Sequence, residues 1–247
     1  MSFSDNLSRT WRNMPPVTKH LLLVNLVMWI ATLVMESAGV DLTGLLGLHY
    51  FEGSKFYAFQ VISYMFMHDT SGISHIFFNM FTLVMFGVLL ESVMGSRRYL
   101  IFYFICGIGA AMAQELVWWL TWADDLELIG PNGVLAIRGE QAVEIAMQNG
   151  LLNDYFNSMV SVGASGSVFG ILVAFAMLFP DIPLYLFFIP VPIKAKYMVA
   201  GYAVIELLFG VTGTMSSVAH FAHLGGLVAG FITIWYWRKT GKLYRGY

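Results

Sequence analysis

Six apolar runs, at about residues 20–40, 74–94, 98–122, 163–180, 195–210 and 218–237, divide this chain. A helix that crosses a bilayer needs roughly 20 consecutive, mostly apolar residues. Hydrocarbon offers the backbone no water to bond, so it admits only helices and closed barrels. The expected fold is therefore all-α: a polytopic membrane protein with a core of six transmembrane helices. Composition agrees, because 11% of the 247 residues are charged, against about 25% in a soluble domain. A net charge of −2 argues against a nucleic-acid partner. Cys106 is the single cysteine, which rules out an intrachain disulfide and suits a core filler.

The first run reads as a span rather than a cleavable signal peptide. Arg9, Trp11, Arg12 and Pro15-Pro16 precede it, and no small-residue cleavage site follows. If the six runs alternate across the bilayer, Arg9, Arg12, Lys19, Arg97, Arg98, Lys194, Lys196, Arg238, Lys239, Lys242 and Arg245 share one side. Only Lys55 and Arg138 fall on the other. Positive charge marks the cytoplasmic face, so both termini are expected in the cytoplasm, with the cell (inner) membrane as the location. The expected organisation is an N-terminal arm over 1–19, a membrane domain over 20–237 and a basic tail over 238–247. Two outer loops are expected, at about 41–73 and 124–158. The second has a turn at Pro131-Asn132-Gly133 and a short helix within Gly139–Leu152. Segment 181–193 is apolar but carries Pro183, Pro190 and Pro192, which reads as an interfacial inner loop.

Polar residues inside these runs are functional candidates, because each is costly in hydrocarbon. With this orientation, spans two, four and six run from outside to inside. His75 and Asn79 open the second, Ser165 opens the fourth, and His223 lies about five residues into the sixth. A rise of 1.5 Å per residue puts all four within roughly 10 Å of the outer ends. Ser165 sits in Gly163-Ala-Ser-Gly166 with Gly170 beyond. Alone, this also reads as a helix-packing motif with the hydroxyl bonded back to its own helix. His223, Gly226 and Gly230 form one face at i, i+3 and i+7. Glycines permit the close approach that a base needs to come within about 3 Å of a nucleophile's hydroxyl. His220 is a rival one turn above, read here as a solvated rim residue because no glycines continue its stripe. His75 and Asn79 project side by side at i, i+4, either as an interhelical hydrogen-bond pair or as donors to a developing oxyanion. No metal is expected, since no His-x-x-x-His or Glu-containing ligand motif accompanies the histidines.

Three motifs carry a family resemblance: His75-Ile-Phe-Phe-Asn79, Gly163-Ala-Ser165-Gly166 with Phe169-Gly170, and Ala222-His223-Leu-Gly-Gly226-Leu-Val-Ala-Gly230. Together with Glu91-Ser-Val-Met-Gly95 they make the chain similar to rhomboid intramembrane serine proteases over about residues 60–237. The resemblance implies a Ser–His dyad without an aspartate and without a cofactor. Ser165 would be the nucleophile and His223 the base, with His75, Asn79 and the Ser165 amide as the oxyanion hole. Phe169 stands where Tyr is frequent and implies a ring packed under the histidine, with Gly163, Gly166, Gly170, Gly226 and Gly230 allowing the packing. Residues 41–73 lack the Trp-Arg pair that some members carry. The resemblance also implies that span five and a cap near Val211–Ser217 move to admit substrate. The implied partners are the lipid bilayer and transmembrane segments of membrane proteins, cleaved near the outer face. A non-catalytic rhomboid-like binder of transmembrane clients is the alternative. A transporter using Glu206, Glu115 and His223 is a third class, disfavoured by the lack of an inverted repeat. Glu206, deep in span five, faces either an aqueous cavity or a partner that the sequence does not identify.

Overall fold

A computed structural model describes residues 11–129, 136–186, 189–215 and 218–243. The structure is helical, with six helices of fourteen residues or more among the described residues. They are α1 (Pro16–Ser37), α2 (Ser74–Met94), α3 (Ser96–Asp125), α4 (Ser165–Leu178), α5 (Ala195–Thr212) and α6 (His220–Lys239). Each coincides with one apolar run to within a few residues. Four of them, α1, α2, α3 and α5, are long and apolar enough to cross a membrane. Helix α6 has the length, but its histidines, glycines and terminal Trp and Tyr lower its hydropathy.

Helix α4 has 14 residues, a rise of about 21 Å against a hydrocarbon thickness of about 30 Å. It is also the central element. Gly166–Val168 and Gly170–Ala176 are all buried, with α2, α3, α5 and α6 packed around it. By contrast, apolar side chains on the outer helices face outward, Val27 at 60% exposure and Val211 at 72% among them. In water such patches mark interaction surfaces; here they are the lipid-facing side of the bundle. Of the four spans α5 is the least covered, with 17% of its most apolar stretch buried.

Glycines set how closely the bundle closes. A Cβ on Gly226 would lie 1.9 Å from the Gly166 carbonyl oxygen, and one on Gly230 would lie 2.9 Å from the Gly170 Cα. Helices α4 and α6 therefore touch backbone to backbone. On the other side of α4, a Cβ on Gly170 would meet the Cys106 sulfur at 2.3 Å, so buried Cys106 fills the core beside it.

At the opposite end of the bundle, the buried Glu91 carboxylate closes the start of α1. It accepts from Val17 N (2.9 Å), Thr18 N (2.7 Å), Thr18 Oγ1 (2.8 Å) and Ser96 Oγ (2.6 Å). An anion suits the exposed amides at a helix N-terminus.

The loops are more ordered than their sequences suggest. The first holds short helices Leu42–Leu46 and Gln60–Ser63, a 3₁₀ turn Tyr64–Phe66, and strand β1 (Leu48–His49). The second holds a hairpin, β2 (Glu127–Ile129) with β3 (Ala136–Arg138), then helices Glu140–Gln148 and Leu152–Ser158 and strand β4 (Val160–Ser161). The expected turn at Pro131-Asn132-Gly133 lies outside the described residues, as do Arg9 and Arg245. Strand β1 pairs with β4, Leu48 opposite Ser161, which ties the first loop to the approach into α4. Segment 181–193, the expected inner loop, is built as a second hairpin, β5 (Pro183–Leu186) with β6 (Ile189–Lys194). Its end is pinned by Asp181, 3.0 Å from both Lys194 and Lys196.

Candidate active site

Ser165 is the first residue of α4, at the end of a tightly held approach. Val160–Ser161 is paired to the first loop, and the Gly163 N–H donates to the Tyr64 carbonyl at 3.0 Å. The Tyr64 hydroxyl in turn donates to the Gly107 carbonyl on α3 at 2.6 Å. Gly163 has φ +134°, a conformation costly for any residue with a Cβ. Two residues further on, the chain begins its helix with Ser165 Oγ pointing toward α6.

His223 meets it there. Its Nε2 lies 2.8 Å from Ser165 Oγ, a hydrogen-bond distance between groups 58 residues apart. The imidazole stacks on Phe169, with ring centroids 4.4 Å apart and planes 9° from parallel. One face of the imidazole is thus covered by α4, four residues after the serine on the same helix stripe.

His75 reaches the site from α2. The position a Cβ on Gly163 would take lies 3.0 Å from His75 Nε2 and 3.4 Å from Ser165 Oγ. The missing side chain therefore leaves a gap of atomic size between imidazole and hydroxyl. Asn79 is buried one turn below His75 on the same face of α2. His68, buried at the end of the first loop, sets its ring edge-to-face on His75 at 5.1 Å. Burial, with His75 alongside, holds the His68 imidazole neutral and lowers its pKa to about 3.

The rim placement expected for His220 is corrected by the structure. His220 is 6% exposed, and its Nδ1 lies 2.7 Å from Glu206 Oε2. The reason is the α5–α6 hairpin, which folds Glu206 onto the N-terminal end of α6, where solvent was expected. The same oxygen lies 3.0 Å from His223 Nδ1. That is an ion-pair distance, and at it Nδ1 does not meet the geometry of a hydrogen bond. Glu206 therefore has partners, and both are histidines. Two signals in the sequence point to this. An acid within a span demands a partner, and residues 206 and 223 are nearly equidistant from a turn centred near 215.

A membrane-embedded helical bundle with four long apolar helices is, as a class, an integral membrane protein that crosses the bilayer more than once. The family model described as "Rhomboid domain" matches residues 55–240, and the chain belongs to the rhomboid family. It is 27% identical over 173 residues to "Rhomboid protein 1, mitochondrial" of Saccharomyces cerevisiae, covering 67% of this chain and 38% of that protein. It is 25% identical over 178 residues to "RHOMBOID-like protein 6, mitochondrial" of Arabidopsis thaliana, covering 70% of this chain and 41% of that one. The chain thus spans about two fifths of the length of these curated relatives.

Proposed function

We propose that the chain is an intramembrane serine endopeptidase that cleaves transmembrane segments of membrane proteins by a Ser165–His223 dyad. The observation that carries this reading is the 2.8 Å contact between His223 Nε2 and Ser165 Oγ, held by backbone-to-backbone packing of α4 on α6. His223 takes the hydroxyl proton as Ser165 attacks the scissile carbonyl, then returns it to the leaving amine. Negative charge develops on the carbonyl oxygen at that moment. An oxygen seated in the gap above Gly163 lies within reach of His75 Nε2. The Ser165 N–H, at the first position of a helix, has no partner within that helix and serves as a second donor. Asn79, on the face of His75, completes the set.

The membrane domain of this reading runs from about 20 to 237, with arm 1–19 and tail 238–247 on the cytoplasmic face of the cell membrane. The distribution of Lys and Arg supports that orientation. Cleavage then falls near the outer face, where Ser165 opens α4. A helical substrate hides its carbonyls in i to i−4 bonds, so segments weakened by Gly or Pro are the preferred substrates.

Labelling by a fluorophosphonate in detergent tests the dyad. Wild type is labelled, and Ser165→Ala and His223→Ala are not. Persistent labelling of Ser165→Ala sinks the assignment. An unlabelled wild type that also cleaves no model single-span substrate points instead to a non-catalytic binder of transmembrane clients.

A further inference from the structure

Glu206, His220 and His223 bring their ligand-type atoms within 4.8 Å of one another, and the dyad as proposed uses only the last. Counting protons across the group is informative. His220 Nε2 faces two backbone carbonyls, Thr214 O at 3.0 Å and Met215 O at 3.2 Å. Carbonyls only accept, so Nε2 carries a hydrogen. His220 Nδ1 faces Glu206 Oε2 at 2.7 Å, and a carboxylate also only accepts. One proton therefore sits between His220 Nδ1 and Glu206 Oε2, which leaves that oxygen able to accept from a second donor. His223 Nδ1 faces the same carboxylate oxygen at 3.0 Å. A hydrogen on Nδ1 leaves the lone pair on Nε2, aimed at Ser165 Oγ. The opposite tautomer sets a lone pair against a carboxylate and an N–H against the hydroxyl it should deprotonate.

A metal ion would satisfy the same donors in principle, but the distances argue for protons. Ligand atoms about 2.0–2.1 Å from a tetrahedral zinc stand about 3.3 Å apart. The separations here are shorter, 2.7 Å for His220, a hydrogen-bond contact, and 3.0 Å for His223, an ion-pair distance.

We propose that Glu206 is the positioning residue of the dyad. It holds His223 in the tautomer that can accept the serine proton, and it does so from α5 rather than from either dyad helix. When His223 becomes an imidazolium, the same carboxylate stabilises it. This inference rests on the protease reading of Ser165 and His223. It also makes the base's tautomer depend on where α5 sits, and α5 is the least covered of the four spans. His220 extends the link to the turn after α5, where Met215 is held at φ +53°, strained for a residue with a side chain. If α5 swings from α6, the carboxylate leaves with it and Nδ1 loses its partner.

The test uses the full chain in detergent micelles, with ¹⁵N-labelled histidine and a single-span model substrate. Loss of a signal in His223→Ala assigns that residue. Wild type should show His223 protonated on Nδ1. Glu206→Leu, similar in size and without an acceptor, should shift the signal toward Nε2–H. It should lower kcat on the order of 100-fold with KM little changed, the scale of losing an imidazole's orienting partner. Glu206→Gln can present either amide end, so a mixed tautomer and an intermediate kcat are expected; it carries the test if the Leu variant does not fold. A folded variant lacking the carboxylate, with wild-type kcat and unchanged tautomer, overturns the proposal. So does wild-type His223 protonated on Nε2, or activity that rises on chelation. Absence of Ser165-dependent cleavage in wild type defeats the protease reading instead, while the tautomer shift still reports on Glu206.

Discussion

Replacing Gly226 by Ala tests the central physical claim, that the spacing of α4 and α6 sets the chemistry. The new Cβ would fall 1.9 Å from the Gly166 carbonyl oxygen and 2.6 Å from its carbonyl carbon, both backbone atoms. Even close C–H···O contacts hold carbon and oxygen about 3.3 Å apart, so the helices must separate locally by more than about 1 Å. His223 lies one turn before Gly226 on the same face, and Ser165 is adjacent to Gly166. The 2.8 Å contact between them then lengthens toward 4 Å, beyond the roughly 3.2 Å limit of a good hydrogen bond. A misplacement of about 1 Å costs on the order of 100-fold in rate, and overpacking costs about 1–3 kcal/mol of stability. The assay is cleavage of a single-span substrate in liposomes beside the thermal melt of the same preparation. Gly201→Ala is the control, since no heavy atom lies within 4 Å of its added Cβ, and it should match wild type. A Gly226→Ala enzyme with wild-type rate and melting temperature would refute the reasoning.

Two further outcomes are expected. Glu91→Gln keeps the volume of the side chain but removes the anion that accepts from Val17, Thr18 and Ser96; a loss of about 2 kcal/mol should appear as a lower melting temperature, with kcat of the folded enzyme unchanged. His68 stays neutral in the fold to about pH 3, while an unfolded histidine binds its proton near 6.5. The unfolded state therefore gains a proton first, and stability falls by about 1.4 kcal/mol per pH unit as pH drops from 6.5 toward 3. Melts of His68→Phe against wild type across that range should remove this slope, and an unchanged slope would assign the acid sensitivity elsewhere.

The apolar runs and their helices were legible because hydrocarbon leaves a chain few choices. Each run became a helix near its expected bounds, since a spanning segment must satisfy its own backbone. The glycine face at His223, Gly226 and Gly230 was legible for a related reason: residues three and four apart share a face whatever the fold. The loops were not. Segment 181–193, with its three prolines, folds as a hairpin because β6 pairs with β5, a contact outside local propensity. Strand β4 likewise exists only because Leu48–His49 lies beside it.

Sequence by itself determined that this is a helical membrane protein with polar motifs at the heads of particular helices, since periodicity and hydropathy are local properties of a chain. Which of those groups touch is a matter of tertiary packing. The 2.8 Å approach of His223 to Ser165 exists because two glycines let backbones meet. The small gap between His75 and Ser165 exists because Gly163 has no side chain. The partner of Glu206 was decided wholly by the α5–α6 hairpin. A carboxylate in an apolar helix announces that it needs a proton donor, but only the fold brings two histidines to one of its oxygens.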